Sequence, residues 1–237
     1  SVQFKELSRV VELTGIASSL VMDFYAKTRG KGSITTGPLR LFPLGIDDLY
    51  TNSLYSRTLL LNCVSNHYSE LWDRMYKPEF NQEQWTINDY RLKPFKTLTK
   101  KWEIHTPLRT YYERYYAQIE VDVIVSIALG LKLGDLIEMY DIQFPVMQQY
   151  EEDTWFDQKG NIVFTCSKGL VGVGLDRPDW ERVKDKQEGD LVTHTITKSE
   201  LYRGKQVTYY PPFTKCDRVE DYKRAWAHFS KVFGGGD

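Results

Sequence analysis

The chain is short of the residues that staple, clamp or anchor a protein. Its 237 residues hold three cysteines, Cys63, Cys166 and Cys216, far apart and without a CxxC pair. An odd, dispersed set excludes a disulfide framework and a thiolate metal site. The four histidines, His67, His105, His194 and His228, form no HxxxH pair either, so a zinc-free protein of a reducing, cytoplasmic compartment is expected. No apolar run approaches the roughly 20 residues that span a bilayer. The longest, Val121 to Leu131, is interrupted by Asp122 and Ser126, and no membrane partner is expected. With no signal peptide and no starting Met ahead of Ser1, the sequence reads as a piece of something longer.

An excess of charge of one sign is also missing. Formal net charge is −1, from 31 Lys and Arg against 32 Asp and Glu. Phosphate neutralisation drives nucleic-acid affinity, so a DNA role here must rest on local patches. Such patches exist. Lys27, Arg29, Lys31 and Arg40 lie in a stretch, Tyr25 to Ile46, that has no acid. Thr86 to Tyr115 holds seven basic residues against Asp89, Glu103 and Glu113, whereas Lys132 to Gly160 holds seven acids against Lys132 and Lys159. A positive and a negative face can hide behind a neutral sum.

What is abundant is aromatic: 16 Tyr, 11 Phe and 6 Trp, which suits either a large core or a binding surface. Leu7 to Lys27 has helical character with a break near Thr14-Gly15, and Thr28 to Gly37 reads as a loop. Leu39 to Leu44 reads as a short extended run. A strong helix is expected over Ser53 to Tyr76, capped by Ser53 and ended by Pro78. Lys77 to Lys101 is polar and irregular. A second strong helix is expected from Thr106-Pro107 to Gly130, its second half apolar all round and therefore buried. Shorter helices are expected at Leu133 to Tyr140 and Pro145 to Asp153. Then Thr154 to Thr165 and Leu191 to Tyr210 read as two hairpins, and Arg218 to Phe233 as a closing helix. The fold class expected is α+β, mainly helical with small antiparallel hairpins toward the C-terminus. Its three segments are 1–50, 51–153 and 154–237.

Several local patterns, in order, carry a family resemblance. Gly15-Ile16-Ala17-Ser18-Ser19, followed by a helix, a Gly-rich loop and Leu39 to Leu44, resembles the end of a target-recognition domain in long adenine-specific DNA methyltransferases. Arg57 to Cys63 with Tyr68 and Leu71-Trp72 resembles the helix that follows there. Arg114 to Tyr140 is similar to those enzymes' helical segment. Phe144 to Tyr150, Asp153 to Asp157, Ile162 to Gly174 and Tyr210 to Phe229 resemble the tail of such proteins in phage-defence clusters. The sequence departs from that pattern at Ser18, where Asn is usual, and at Lys132, where a Thr cap is usual.

The resemblance implies the DNA-recognition and positioning end of a restriction–modification or phage-defence methyltransferase. The implied partners are double-stranded DNA, an upstream methyltransferase core and other defence subunits. The family uses S-adenosylmethionine and an acceptor-Pro-Pro-aromatic loop that holds a flipped adenine. The nearest string here is Tyr209-Tyr210-Pro211-Pro212-Phe213. Tyr210 cannot act as the amide or carboxylate acceptor, and no Gly-rich cofactor turn precedes it. The string therefore reads as a rigid connector, and no cofactor or catalytic residue is expected in this chain. Gly169, Gly172 and Gly174 do not follow dinucleotide spacing. Pro178-Asp179-Trp180-Glu181 to Lys184 lacks the spacing of a two-metal nuclease.

The candidate DNA-binding residues are Lys27, Arg29, Lys31, Arg40, Arg91, Lys93, Lys96, Lys100 and Lys101. Gly30-Lys31-Gly32-Ser33 offers a loop that can approach phosphates, with a plain solvated loop as the alternative. The run from Arg91 to Lys101 interleaves with Phe95 and Trp102, as a backbone-binding loop does; a solvated connection anchored by two aromatics is the bland reading. Asp122, inside an apolar helix, reads as a hydrogen-bonded structural acid. The runner-up function is a protein–protein docking module of a multi-subunit defence complex.

Overall fold

The structure is a computed structural model, and it describes residues 4–30, 36–166 and 173–234. It is α+β and mainly helical, with short antiparallel strands after residue 154. Two central helices organise it: α4 (Asp48–Asn62) and α6 (Tyr111–Ala128). Around them pack α1 (Leu7–Ala17), α2 (Leu20–Thr28), α7 (Leu133–Gln143) and α10 (Arg218–Val232). The remaining helical pieces are α3 (Thr36–Leu39), α5 (Ser69–Met75), α8 (Pro145–Glu152) and α9 (Arg177–Val183).

One core cluster runs from Val11 and Ile16 through Leu54, Leu59, Ile119 and Val123 to Tyr222 and Phe229. The first and last helices therefore close the same core across residue 50, while a second cluster, with Val163, Phe164, Trp180, Val192, Tyr209 and Phe213, lies wholly after residue 153. Gly15 is helical and does not break α1. A Cβ there would sit 2.5 Å from Thr58 Oγ1 and 2.9 Å from Leu54 Cδ1, so its lack of a side chain is what lets α1 lie against α4. The chain turns instead at Ser18-Ser19, where Ser19 caps α2 by accepting from the Met22 N–H.

Other helix starts differ from the sequence reading for local reasons. Asp47, accepting from the Leu49 N–H, caps α4, and Ser53 lies inside the helix with its hydroxyl on Glu83. That helix stops at Asn62, and α5 is a separate short helix. Helix α6 starts at Tyr111 because Thr110 and Glu113 form a capping box. Thr106 and Pro107 precede it in a loop, whose Leu108 N–H donates to the Leu60 carbonyl. Leu39 to Leu44 forms no strand: α3 ends at Leu39, and a turn from the Leu39 carbonyl to the Phe42 N–H buries Phe42 beside Tyr25.

Strands β1 (Trp155–Phe156) and β2 (Ile162–Phe164) form the expected hairpin, and β5 (Thr214–Lys215) pairs with the other edge of β1. Its turn needs Gly160, at φ 78°, packed against Thr110 and Tyr112. Strands β3 (Val192–Thr195) and β4 (Gln206–Tyr209) form the second hairpin. The strings at 31–33 and 169–172 lie outside the described residues.

Candidate functional site

The segment between α5 and α6 has little regular structure, yet it is held firmly from below. Arg57, in the middle of α4, is wholly buried. Its Nε donates to Glu120 Oε2 at 2.5 Å, its Nη1 to Glu83 Oε2 at 2.7 Å and its Nη2 to the Gln84 carbonyl at 2.8 Å. Glu120 of α6 also accepts from the Thr86 N–H at 2.7 Å. One buried cation and one buried carboxylate thus pin three successive points of the loop, Glu83, Gln84 and Thr86. Trp85 packs on Phe95 at 4.8 Å between ring centres and donates to the Lys93 carbonyl.

Above this floor, residues 81–90, 92 and 94–96 line a cleft of about 750 Å³. Two acids line it, and each is paired: Glu83 with Arg57, and Asp89 with Arg91 at 2.7 Å. Burial works to raise Asp89, but bonds from Arg91 and from the Tyr112 hydroxyl outweigh it and hold the carboxyl below its ordinary value. Lys96, also on the cleft wall, is exposed and meets no acid among the described residues. Glu120 also draws on Arg57, so the charges at and beneath the cleft balance, and Lys96 is the cation that stays unpaired on its wall. Gln82, Gln84 and Asn88 line it as exposed amides whose side chains make no hydrogen bond among the described residues.

The candidate basic residues divide into two kinds. Arg91 is tied into the fold by Asp89, the Asp157 carbonyl and Thr214, with its guanidinium 3.7 Å from the Tyr112 ring centre. Lys93 donates to the carbonyls of His105, Thr106 and Pro107, and burial lowers its pKa. These two are fasteners of the loop. Lys96, Lys100 and Lys101 are exposed, with Asp73 4.0 Å from Lys100.

In the other stretch, Lys27 pairs with Asp23 at 2.9 Å and lies over the Phe144 ring, while Arg29 lies over Tyr25. Arg40 is exposed, and Lys31 lies outside the described residues. Helix α2 packs on α7, whereas the Lys96 turn packs on the turn at Pro78–Gln82. The two basic stretches are thus mounted on different elements.

Asp122 is the structural acid the sequence suggests. It accepts from the Leu20 N–H, Gln118, Arg218 and Tyr222. Burial pushes its carboxyl up while Arg218 and the Leu20 N–H oppose the rise. Arg218 also holds Glu151 at 2.6 Å, which ties α10 to α8. In α9, Asp179 pairs with Arg182 and Glu181 with Lys184, so those acids are spent within one helix. The Pro211–Pro212 connector, whose peptide is cis, joins β4 to β5. Among the described residues, no group of three or more His, Cys, Asp or Glu side chains could hold a metal ion. Likewise none of the helices there is long and apolar enough to cross a membrane.

The sequence reading missed the cleft itself. Its signal was present in Asn81-Gln82-Glu83-Gln84-Trp85 and Asn88-Asp89-Tyr90, a run dense in amides and aromatics. Neither a protein-family model, nor a curated protein, nor a solved structure matches this chain.

Proposed function

We propose that the chain is the DNA-recognition and positioning part of a site-specific adenine DNA methyltransferase of a restriction–modification or phage-defence system. It works in the cytoplasm and is non-catalytic by itself. The parent's upstream core supplies S-adenosylmethionine binding and methyl transfer. The observation that carries the DNA reading is the exposed Lys96 on the cleft wall, which meets no acid among the described residues, while the two lining acids are held by Arg57 and Arg91. Lys100 and Lys101 extend the exposed cationic surface. Lysines meet phosphates, and amides such as Gln84 and Asn88 suit base edges.

Anisotropy titration of a labelled duplex tests this. The purified chain should bind saturably at low salt and release the duplex to unlabelled competitor DNA. No binding at micromolar protein, with the chain folded, overturns the reading.

A second reading, docking to other defence subunits, is favoured by a groove of about 880 Å³ among α6, α7 and α10. Trp226, Leu131 and Phe233 floor it, and Lys132 and Lys231 edge it.

A further inference from the structure

Tyr90 stands out from its neighbours. It is 76% exposed, the most exposed aromatic residue described in this protein. An exposed tyrosine on an irregular loop ordinarily samples several rotamers, but this one is fastened at its tip. Its hydroxyl donates to Gln158 Oε1, and Gln158 Nε2 donates in turn to the Pro212 carbonyl. Gln158 is itself fixed by its N–H on the Tyr210 carbonyl at 2.9 Å. The ring is thus tied to the turn between β1 and β2, while no other aromatic ring or cation among the described residues covers either face. It lines the same cleft as Gln82, Gln84, Asn88 and Lys96.

A flat apolar face, unbonded amides and one free cation match the three parts of a nucleotide: base face, base edge and phosphate. A sugar polymer would use the ring and the amides but has no need of the free lysine. A peptide adding as a strand would require an open sheet edge, and this segment forms none; a Pro-rich peptide would use the aromatic face but has no need of the free lysine. We propose that the cleft takes an unpaired nucleotide, with its base stacked on Tyr90, its edge read by the amides of Gln82, Gln84 and Asn88, and its phosphate met by Lys96. This rests on the DNA-binding reading above and adds, beside the phosphate contact of Lys96, a stacking place for one unpaired base on Tyr90.

The test compares a labelled DNA duplex with the same duplex carrying one bulged adenine, using the full chain and its Tyr90→Ala and Tyr90→Phe variants. Stacking on one aromatic ring should favour the bulged probe by about tenfold. Tyr90→Ala should abolish that preference and leave duplex affinity unchanged. Tyr90→Phe should keep part of it, because the ring remains and only its anchor is lost. With 2-aminopurine as the bulged base, fluorescence should be quenched by the wild-type chain and not by Tyr90→Ala. Equal affinity for the two probes, or a preference that survives Tyr90→Ala, overturns the proposal while the duplex-binding reading stands. Failure to bind either probe overturns both.

Discussion

Arg57 Nε lies 2.5 Å from Glu120 Oε2, and neither side chain reaches solvent. Each charge is affordable inside the core only because the other is there, and both have further partners in the loop at 83–86. Removing Arg57 leaves Glu120 buried without a cation, which costs about 3–5 kcal/mol, whereas removing Glu120 leaves Arg57 still paired with Glu83 and costs less. Arg57→Met should lower the unfolding free energy by that order and Glu120→Gln by less. The double variant should be less destabilised than the sum, and a double-mutant cycle by urea denaturation measures the difference.

The close contact at Gly15 makes a second prediction. A methyl group there meets Thr58 and Leu54 inside contact distance. Thr58 cannot simply turn away, because its hydroxyl is committed to the Leu54 carbonyl at 2.7 Å. Gly15→Ala should therefore destabilise by about 1–3 kcal/mol through overpacking, despite alanine's better helix propensity. A thermal melt equal to that of the wild type would mean that α1 shifts freely on α4.

The same local physics sets how far the sequence could be read. Helix periodicity located α6, α7, α8 and α10, because each carries an apolar stripe or a buried run. The start of α4 was misread because Ser53 looks like a cap, and only the tertiary partner Glu83 shows why a serine sits mid-helix. Gly15 looked like a breaker, since close helix approach depends on a neighbour forty residues on. The exposed lysines at 96, 100 and 101 were legible as charge. That Arg91 and Lys93 fasten the loop was not, since their partners Thr214 and His105 to Pro107 are chosen by the fold. Tyr90's anchor, Gln158, lies in another segment altogether.

Cysteine chemistry provides a third check. Burial pushes the Cys63 thiol up to about 11, and burial with Asp221 nearby raises Cys216 further. Thiolate is the reactive form, so both should resist alkylation at neutral pH in the folded chain. Cys166 and Cys216 are both partly covered, and with Cys216 held as the thiol Cys166 should react first. Mass spectrometry after brief iodoacetamide treatment should find one labelled site natively and three after unfolding. Early labelling of Cys63 would show that the Leu59–Trp102 region opens.

His228 gives the pH dependence. Burial, aided by Arg57 and Lys231, lowers its pKa below the ordinary 6.5, with Glu120 and Glu83 opposing. The folded state thus keeps the imidazole neutral at a pH where the unfolded chain already takes a proton. Its contribution to stability is complete above the unfolded value and declines as pH falls below about 6.5 toward the lower folded value. The urea midpoint should drop between about pH 7.5 and 5.5, and His228→Gln should flatten that part of the curve. An identical slope in the variant would assign the decline to other groups.

The central claim, that the exposed lysines beside the cleft hold DNA phosphates, is tested most directly by the salt dependence of duplex binding. Each neutralised phosphate contributes about −0.9 to the slope of log K against log salt. Reversal of Lys96, Lys100 and Lys101 to Glu should weaken binding alike for unrelated duplex sequences and reduce the slope magnitude by about 2–3. These side chains are exposed, so the fold should survive, as circular dichroism can verify. A folded triple variant with the wild-type affinity and the wild-type slope would contradict the account.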